Sequence, residues 1–403
     1  MLPWHVKAAV ALLVSLPALV LRLAGVELPP LISLVAFGSA IVGAAFLLAW
    51  AAEAAQIDIS ASLATAVLAL IAVLPEYAVD LYFAYASGTR PEYAQYAAAN
   101  MTGSNRLLLG LGWPVVAFVF AWGLKRRRER QRPLTLEPRR RVELGFLVAA
   151  GAYAFLIPLT GRISLLDTVV LLALFALYIG KVARQERSEP ELIGVAAALG
   201  VLPRARRRAA VVGFFIAAGA FILASAEPFA HALVESGAEL GLDEFLLVQW
   251  LAPLASETPE FLVAALLAFR GRQDAALGTL LSSKVNQWTL LVGSIPLAHL
   301  AGGGGLALAL DARQNEEFLL TAAQTVLGFA MLLNLRFRLR EAWTLLALFG
   351  VQFAFPQPEV RVVFSVVYLI LAAFLIMRER RMLLAALRAV APDGMMRRPR
   401  SRP

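Results

Sequence analysis

Long apolar stretches recur along the whole chain and restrict what it can fold into. Of its 403 residues, 60% are hydrophobic and only 16% are charged, whereas soluble domains average about 25% charged residues. A helix that crosses a membrane needs about 20 mostly apolar residues. Because the stretches are continuously apolar rather than alternating, they predict membrane helices and not membrane strands. We identify twelve, at roughly 5–24, 31–55, 59–87, 91–124, 143–161, 163–181, 209–235, 242–270, 273–300, 315–335, 340–356 and 359–377.

The distribution of positive charge predicts how these helices are oriented. If successive loops lie on alternate sides, 30 of the 37 Lys and Arg residues fall on one side and five on the other. Positively charged loops stay in the cytoplasm, so both termini are expected there. The first stretch lacks a small-residue cleavage site, which favours a retained helix over a signal peptide. We therefore expect a multi-pass protein of the inner (plasma) membrane of a bacterium.

Basic loops and the absence of cysteine restrict which partners and ligands the chain can bind. The run "KRRRERQRP" at 125–133 borders an apolar stretch, so anionic lipid at the cytoplasmic face is a better partner for it than nucleic acid. The chain has no cysteine, which excludes disulfides and thiolate metal sites. The sequence "AGGGGLALAL" at 301–310 lacks the strand, the Lys-Ser/Thr ending and the helix of a phosphate loop. No feature predicts an oligomeric state.

Two pairs of motifs reveal an internal repeat. "AVLPEYAVDLYFAYASG" at 72–88 is similar to "SETPEFLVAALLAFRG" at 256–271. Each is followed by an apolar helix with a small polar segment, "NMTGSNRLLLGLG" at 100–112 and "TLLSSKVNQWTLLVG" at 279–293. The copies are five stretches apart, an odd offset, so they cross the membrane in opposite directions. The predicted fold is therefore an all-α polytopic membrane protein with an inverted repeat of five plus five helices and one extra helix at each end.

The repeat divides the chain into five regions. We expect an extra N-terminal helix at 1–28 and an extra C-terminal helix with a basic tail at 358–403. The two inverted repeats lie between them, and a cytoplasmic linker joins the repeats. The first repeat is 29–183, with its motifs in 59–124; the linker is 184–208; the second repeat is 209–357, with its motifs in 242–300.

Polar groups inside the repeated motifs predict a cation site. Pro75 and Pro259 have no N–H, so the carbonyls of Ile71 and Ala255 lose their helical donors. A carboxylate, Glu76 or Glu260, follows each proline, and acidic residues at membrane depth are usually functional. Carboxylate, carbonyl and hydroxyl oxygens suit hard cations such as Ca²⁺ or Na⁺. The hydroxyls available in the motifs are those of Ser104, Ser256, Thr258 and Ser283.

These motifs resemble the paired α-repeats of the sodium/calcium exchanger (Ca²⁺/cation antiporter) superfamily. The resemblance implies a secondary active antiporter, not an enzyme, that exchanges Na⁺, Ca²⁺ or H⁺ by alternating access, with the first two helices of the repeats sliding against the rest. It implies no cofactor other than the transported cation. The implied ligands are Glu76, Glu260, Ser104, Asn105, Thr258 and Ser283.

This sequence departs from the family pattern at charged positions. The second polar segment is Ser282-Ser283-Lys284, where the family has Gly-Ser-Asn or Gly-Ser-Asp, so Lys284 stands opposite Asn105. Lysine can lose its proton in an apolar surrounding and arginine does not, so Lys284 is expected either to exchange its charge with the incoming cation or to act as a fixed counter-ion. In "AVLPE" the Ser/Thr that usually stands just before Pro-Glu is missing.

Three further charged residues are expected to couple to the site. Arg106 directly follows Asn105, and we expect it to pair with Asp80 or to extend towards the membrane edge. Glu257 has Val73 as its counterpart in the first repeat, so we expect it on the helix face or behind the ligands.

Two other functions stay open. A transport-inactive sensor or scaffold on the same fold would use the architecture without the flux. Ser283 beside Lys284 is compatible with a Ser–Lys hydrolase, but adjacent residues of a helix point about 100° apart, which disfavours it.

Overall fold

The computed structural model describes residues 3–58, 74–185 and 192–390. The described part is helical, with two short β-ribbons. The first half contains α1 (Trp4–Ala24), α2 (Pro30–Ala55), α3 (Leu74–Ala86), α4 (Pro91–Arg126), α5 (Pro138–Thr160) and α6 (Leu165–Val182). The second half contains α7 (Gly194–Gly200), α8 (Arg204–Leu240), α9 (Glu244–Phe269), α10 (273–301), α11 (Ala312–Leu332), α12 (Leu339–Ala354), α13 (Pro358–Arg378) and α14 (Arg380–Val390). The strands are β1 (Leu134–Thr135), β2 (Arg162–Ser164), β3 (Ala307–Ala309) and β4 (Arg336–Phe337).

Each of the twelve apolar stretches coincides with a helix in the described residues. Eight helices (α1, α2, α4, α5, α6, α8, α9 and α13) are long and apolar enough to cross a membrane. Three fully described helices predicted to span are not among these eight. Polar residues near the middle of α10 and charged residues in the first turns of α11 lower the hydropathy of those two helices, and α12 has only 16 residues. The stretch predicted at 59–87 is described only from Leu74, so residues 59–73, with the Ile71 carbonyl, lie outside the described residues.

The helix ends follow local sequence signals. Proline stands in the first turn of α2, α4, α5 and α13, where its missing N–H costs no hydrogen bond. Asp243 and Asp311 cap α9 and α11, because their carboxylates accept from the backbone N–H three residues on. Gly241 adopts φ 65° and ends α8. The long helices therefore begin and end at the short loops that the repeat requires.

Equivalent irregularities in α4 and α10 show the inverted repeat in the backbone. Each helix widens into one π-turn, at Leu108–Gly112 and at Gln287–Leu291. The π-turns begin three residues after Asn105 and Lys284, so those two residues are structurally equivalent. An inserted π-turn often accompanies a functional site.

Two antiparallel β-ribbons connect the halves. β1, in the α4–α5 loop, pairs with β4, in the α11–α12 loop. β2, in the α5–α6 loop, pairs with β3, in the α10–α11 loop. The inverted repeat makes these two ribbons equivalent, and they lie at opposite ends of the helices. Each ribbon therefore joins a loop of the first half to a loop of the second.

The helices outside the repeat pack on different partners. α1 lies against α2, where a Cβ at Gly43 would overlap Ser15. α13 packs along α11 at the other end of the chain. α2 and α8 pack against each other through Leu47, Leu48, Phe221 and Ile222. The first helices of the two repeats therefore form one unit with α1.

The structure differs from the sequence prediction in the linker and in the C-terminal region. The linker contains α7, whose buried Val195 and Leu199 pack on α2 and α8. Beyond α13 the chain forms α14, a strongly amphipathic helix on α5, where only a basic tail was expected. Residues 186–191 and 391–403 of these two predicted regions lie outside the described residues.

Candidate cation site

The two Pro-Glu motifs and the two polar segments meet at the centre of the helix bundle. α9 crosses α4 closely, because a Cβ at Gly103 would overlap the backbone carbonyl of Gln249. α9 also packs against α3 and α10. The polar side chains of four helices are thereby brought together inside a largely apolar core.

Glu76, Ser104, Glu257 and Gln287 form one hydrogen-bonded cluster. The hydroxyl oxygen of Ser104 contacts Oε1 of both Glu76 and Glu257. The Nε2 of Gln287 lies 2.5 Å from Glu257 Oε1, 2.8 Å from Ser104 Oγ and 3.2 Å from Glu76 Oε1. All four side chains are buried. The cluster thus combines α3 and α4 of the first half with α9 and α10 of the second.

Glu260 and Ser283 form the matching pair of the second half. The Ser283 side chain lies beside the Glu260 carboxylate, as the Ser104 side chain lies beside Glu76. Glu260 lies close enough to Glu76 for the two carboxylates to repel each other. Thr258 is turned away, since its hydroxyl donates to the carbonyl of Leu254, one turn back. Thr258, a predicted ligand, therefore lies outside the cluster.

Lys284 reaches across to the first half. Its side chain is fully buried, and Nζ donates to the backbone carbonyl of Asn105 at 2.6 Å. The Asn105 Nδ2 donates to the carbonyl of Met101, one turn back, and its Oδ1 hydrogen-bonds to none of the described groups, so this predicted ligand is not bonded to the cluster. The two residues that the repeat makes equivalent are therefore in direct contact. Lys284 donates to Asn105, and no hydrogen bond joins it to the Ser283 hydroxyl, so the two do not form the pair that a Ser–Lys hydrolase requires.

The prediction that Arg106 pairs with Asp80 or extends towards the membrane edge was wrong. Arg106 Nη2 lies 2.7 Å from Glu317 Oε2, and both side chains are buried. Asp80 is also buried, and Asn100 and Glu76 lie near it. Arg106 points from α4 towards α11, whereas Asp80 lies on α3. The two predicted coupling residues therefore lie in different polar surroundings.

Two side chains of the cluster were not expected among the ligands. Glu257 was expected on the helix face or behind them, yet its carboxylate contacts Ser104 and Gln287 directly. Gln287 was not singled out, although it follows Ser283 by four residues and so lies on the same helix face. Its equivalent in the first half is Leu108, an apolar residue, so comparing the repeats gave no signal for it.

The donor set suits a hard cation or protons. Glu76, Glu257 and Glu260 supply carboxylate oxygens, while Ser104 and Ser283 supply hydroxyls. Oxygen ligands of this kind bind Ca²⁺ and Na⁺, and carboxylates also bind protons. Two or more carboxylates in one buried cluster repel each other, so a bound positive charge stabilises the arrangement. The cluster is therefore equipped for cation and proton to compete.

Comparison with known proteins identifies the family. The family model described as "Sodium/calcium exchanger protein" matches residues 29–182 and 210–356, well over half of the chain. The chain belongs to the sodium/calcium exchanger family. Members of this family are cation antiporters rather than enzymes, and the chain is an integral multi-pass membrane protein.

Solved structures of exchangers share the fold. An H⁺/Ca²⁺ exchanger named CAX is 44% identical, with a TM-score of 0.91, over 96% of this chain and 97% of that protein. The Ca²⁺/H⁺ antiporter YfkE is 15% identical (TM-score 0.62), covering 90% of this chain and 99% of that one. The sodium-calcium exchanger NCX_Mj is 17% identical (TM-score 0.52), covering 87% and 98%. The last two support the fold alone. No curated protein is significantly similar in sequence to this chain.

Proposed function

We propose that this member of the family is a proton-coupled calcium antiporter, in which Glu76 and Glu260 bind Ca²⁺ and protons alternately. The observation that carries the proposal is the hydrogen bonding of Ser104. Its hydroxyl has one proton but contacts a carboxylate oxygen of both Glu76 and Glu257. Ser104 can donate to only one of them, and a proton on the other carboxyl group would complete the hydrogen bonding. The arrangement supports a proton-loaded state of the cation site.

Charge balance supports the exchange of protons for calcium. Protonation neutralises carboxylates that would otherwise repel each other, and a divalent cation does the same by binding their oxygens. Ca²⁺ and protons therefore compete for the same groups, as antiport requires. The 44% identity to an H⁺/Ca²⁺ exchanger over nearly the whole chain favours this pair of ions over Na⁺ and Ca²⁺.

The packing of the helices supports alternating access. α2 and α8 pack on each other and carry α1 with them. Both β-ribbons, by contrast, join loops of the remaining helices. We infer that α2 and α8 slide as a unit against this remaining core and open the cluster to one side at a time.

Flux into liposomes tests the function. Purified protein is reconstituted with a calcium-sensitive dye inside, and a pH gradient or a Na⁺ gradient is imposed. An acidic interior should drive Ca²⁺ uptake, and a protonophore should abolish it. Uptake driven by Na⁺ but not by the pH gradient would make the protein a sodium-coupled exchanger. No flux under either gradient would favour the transport-inactive sensor.

Orientation is a separate part of the proposal. Both termini and the basic loops are assigned to the cytoplasm of a bacterial inner membrane, where anionic lipid contacts the 125–133 run. The chain has no native cysteine, so single introduced cysteines can be labelled without background. In intact cells Leu306→Cys should react with an impermeant maleimide and Arg128→Cys should not. The reverse pattern would overturn the orientation.

A further inference from the structure

A buried ion pair lies directly beside the cation site. Arg106 and Glu317 are 2% and 1% exposed, and their charged atoms are 2.7 Å apart. The guanidinium also lies 4.8 Å from the ring centroid of Trp250 on α9. A charge buried at this depth is costly without a partner. Among the described residues, Glu317 is the carboxylate that forms an ion pair with Arg106.

Glu317 is in turn held by the extra C-terminal helix. Arg361 on α13 lies 3.7 Å from Glu317 and 2.8 Å from Glu316, and it donates to the carbonyl of Pro356 at 2.5 Å. Arg106 and Arg361 carry two positive charges, and Glu316 and Glu317 carry two negative ones. The network is therefore neutral as a whole, and it extends from α4 through α11 to α13.

The place of Arg106 in the chain connects this network to the site. Arg106 follows Asn105, whose carbonyl accepts the Lys284 ammonium. The Arg106 guanidinium is close enough to Lys284 for the two positive charges to repel each other. An unneutralised Arg106 would add a second positive charge beside the position where a cation binds. Low-dielectric surroundings screen such a charge only weakly.

We propose that Glu317 is a positioning residue for the cation site. Its carboxylate neutralises Arg106 and holds the guanidinium against α11, away from Glu76 and Glu257. Arg361 fixes the Glu317 carboxylate in place, which gives α13 a role in cation affinity although α13 lies outside the inverted repeat. This inference rests on the proposed function, since it concerns the affinity of the same site.

The first half contains a natural control. "LTLEPRRRVE" at 134–143 is similar to "LALDARQNEE" at 308–317, which makes Glu143 the equivalent of Glu317. Glu143 is buried and pairs with Arg140 at 2.9 Å. Arg140, however, has a second carboxylate partner in Asp274 at 3.0 Å. Loss of Glu143 therefore leaves no unpaired cation, whereas loss of Glu317 does.

Calcium kinetics in proteoliposomes test the proposal. Glu317→Gln should raise the KM for Ca²⁺ about tenfold or more, with a smaller change in maximal rate, because a buried unit charge nearby opposes cation binding. Adding Arg106→Gln removes that charge, and the double variant should return the KM to within about threefold of wild type. Glu143→Gln should stay within about twofold of wild type.

Each outcome decides the proposal. A wild-type KM in Glu317→Gln, or an equal defect in the single and double variants, would overturn it, because packing alone would then explain the position. If Glu317→Gln does not fold, Glu317→Asp replaces it and should raise the KM about threefold, since the shorter side chain keeps its charge but draws it away from Arg106; an unchanged KM there would also overturn the proposal. Absence of Ca²⁺ flux in wild type would instead refute the proposed function, so the two failures are distinguishable.

Discussion

The two halves of the protein form the same backbone around the site but supply different side chains to it. Both have a Pro-Glu motif, a serine beside that glutamate and a π-turn that follows. In sequence, the second half differs from the first at three equivalent positions: Glu257 in place of Val73, Lys284 in place of Asn105, and Gln287 in place of Leu108. The shared part suits any cation of the family. The differences add one acidic and one basic group, and we expect them to decide which ions are exchanged.

The largest expected effect comes from replacing the glutamate of either Pro-Glu motif, which both halves share. Glu76→Gln and Glu260→Gln should each abolish Ca²⁺ flux in proteoliposomes while the protein still reaches the membrane, because each removes a carboxylate that binds the cation. Equal losses would support equivalent roles for the halves. Residual flux in only one of the variants would indicate that Glu257 compensates for that residue. Normal transport in either variant would remove its glutamate from the site.

A second effect tests the close crossing that only the first half has. Gly103 approaches the Gln249 backbone, whereas its equivalent, Ser282, carries a side chain that lies near Tyr178. Gly103→Ala should lower stability by about 3 kcal/mol or more, because backbone must move to admit the methyl group. Ser282→Gly should cost about 1 kcal/mol. Thermal unfolding in detergent measures both.

Gly219→Ala is the control for this experiment, since no atom lies within 4 Å of a Cβ at that helical position. It should leave the unfolding temperature unchanged or raise it slightly. If Gly103→Ala unfolds at the temperature of this control, then α4 and α9 are not in close contact.

A third, smaller effect concerns the charge of Lys284. Lys284→Arg keeps a permanent positive charge where lysine can release its proton, so transport should fall several-fold and lose part of its pH dependence. Lys284→Asn makes the two halves alike, and it should shift the protein towards binding an additional Na⁺ or Ca²⁺ with weaker pH dependence. If Lys284→Arg keeps the wild-type rate and pH profile, Lys284 is a fixed counter-ion rather than a switch.

The smallest effect is expected away from the site, where α2 meets α8. The hydrogen bond from Arg207 lowers the pKa of Asp58 to about 2. Asp58→Asn should reduce stability at pH 7 by less than about 1 kcal/mol, because the pair lies near the surface. The lowered pKa means that the contribution is complete above the unfolded value near 4 and is lost as the pH falls through 2. Thermal unfolding at pH 7 and pH 3 should show the difference between variant and wild type shrinking.

Sequence reasoning predicted the parts of the molecule that repeat or that are uniformly apolar. The apolar stretches specified the helices, and the paired Pro-Glu motifs specified which helices meet. Helical spacing and repeat alignment also placed Lys284 opposite Asn105. Hydrophobicity and internal similarity are local properties of the chain, so they can be read without coordinates.

What the sequence did not reveal depends on contacts between distant segments. Glu317 lies far along the chain from Arg106, and many acidic residues compete as candidate partners. Gln287 has an apolar equivalent, so the repeat hid it. The β-strands are two or three residues long, too short for a pattern of alternation to identify them. Side-chain partners and short ribbons therefore needed the three-dimensional arrangement.

The β-ribbons also have a consequence for how the protein is made. The ribosome delivers the chain from its N-terminus, so β1 and β2 enter the membrane region long before β4 and β3 are synthesised. Until then, both strands of the first half expose unpaired backbone groups. The first half is therefore an incomplete intermediate during biosynthesis, and its loops are paired only when residues 307–337 have emerged. Assembly of the transporter should thus be late and should depend on nearly the whole chain being present.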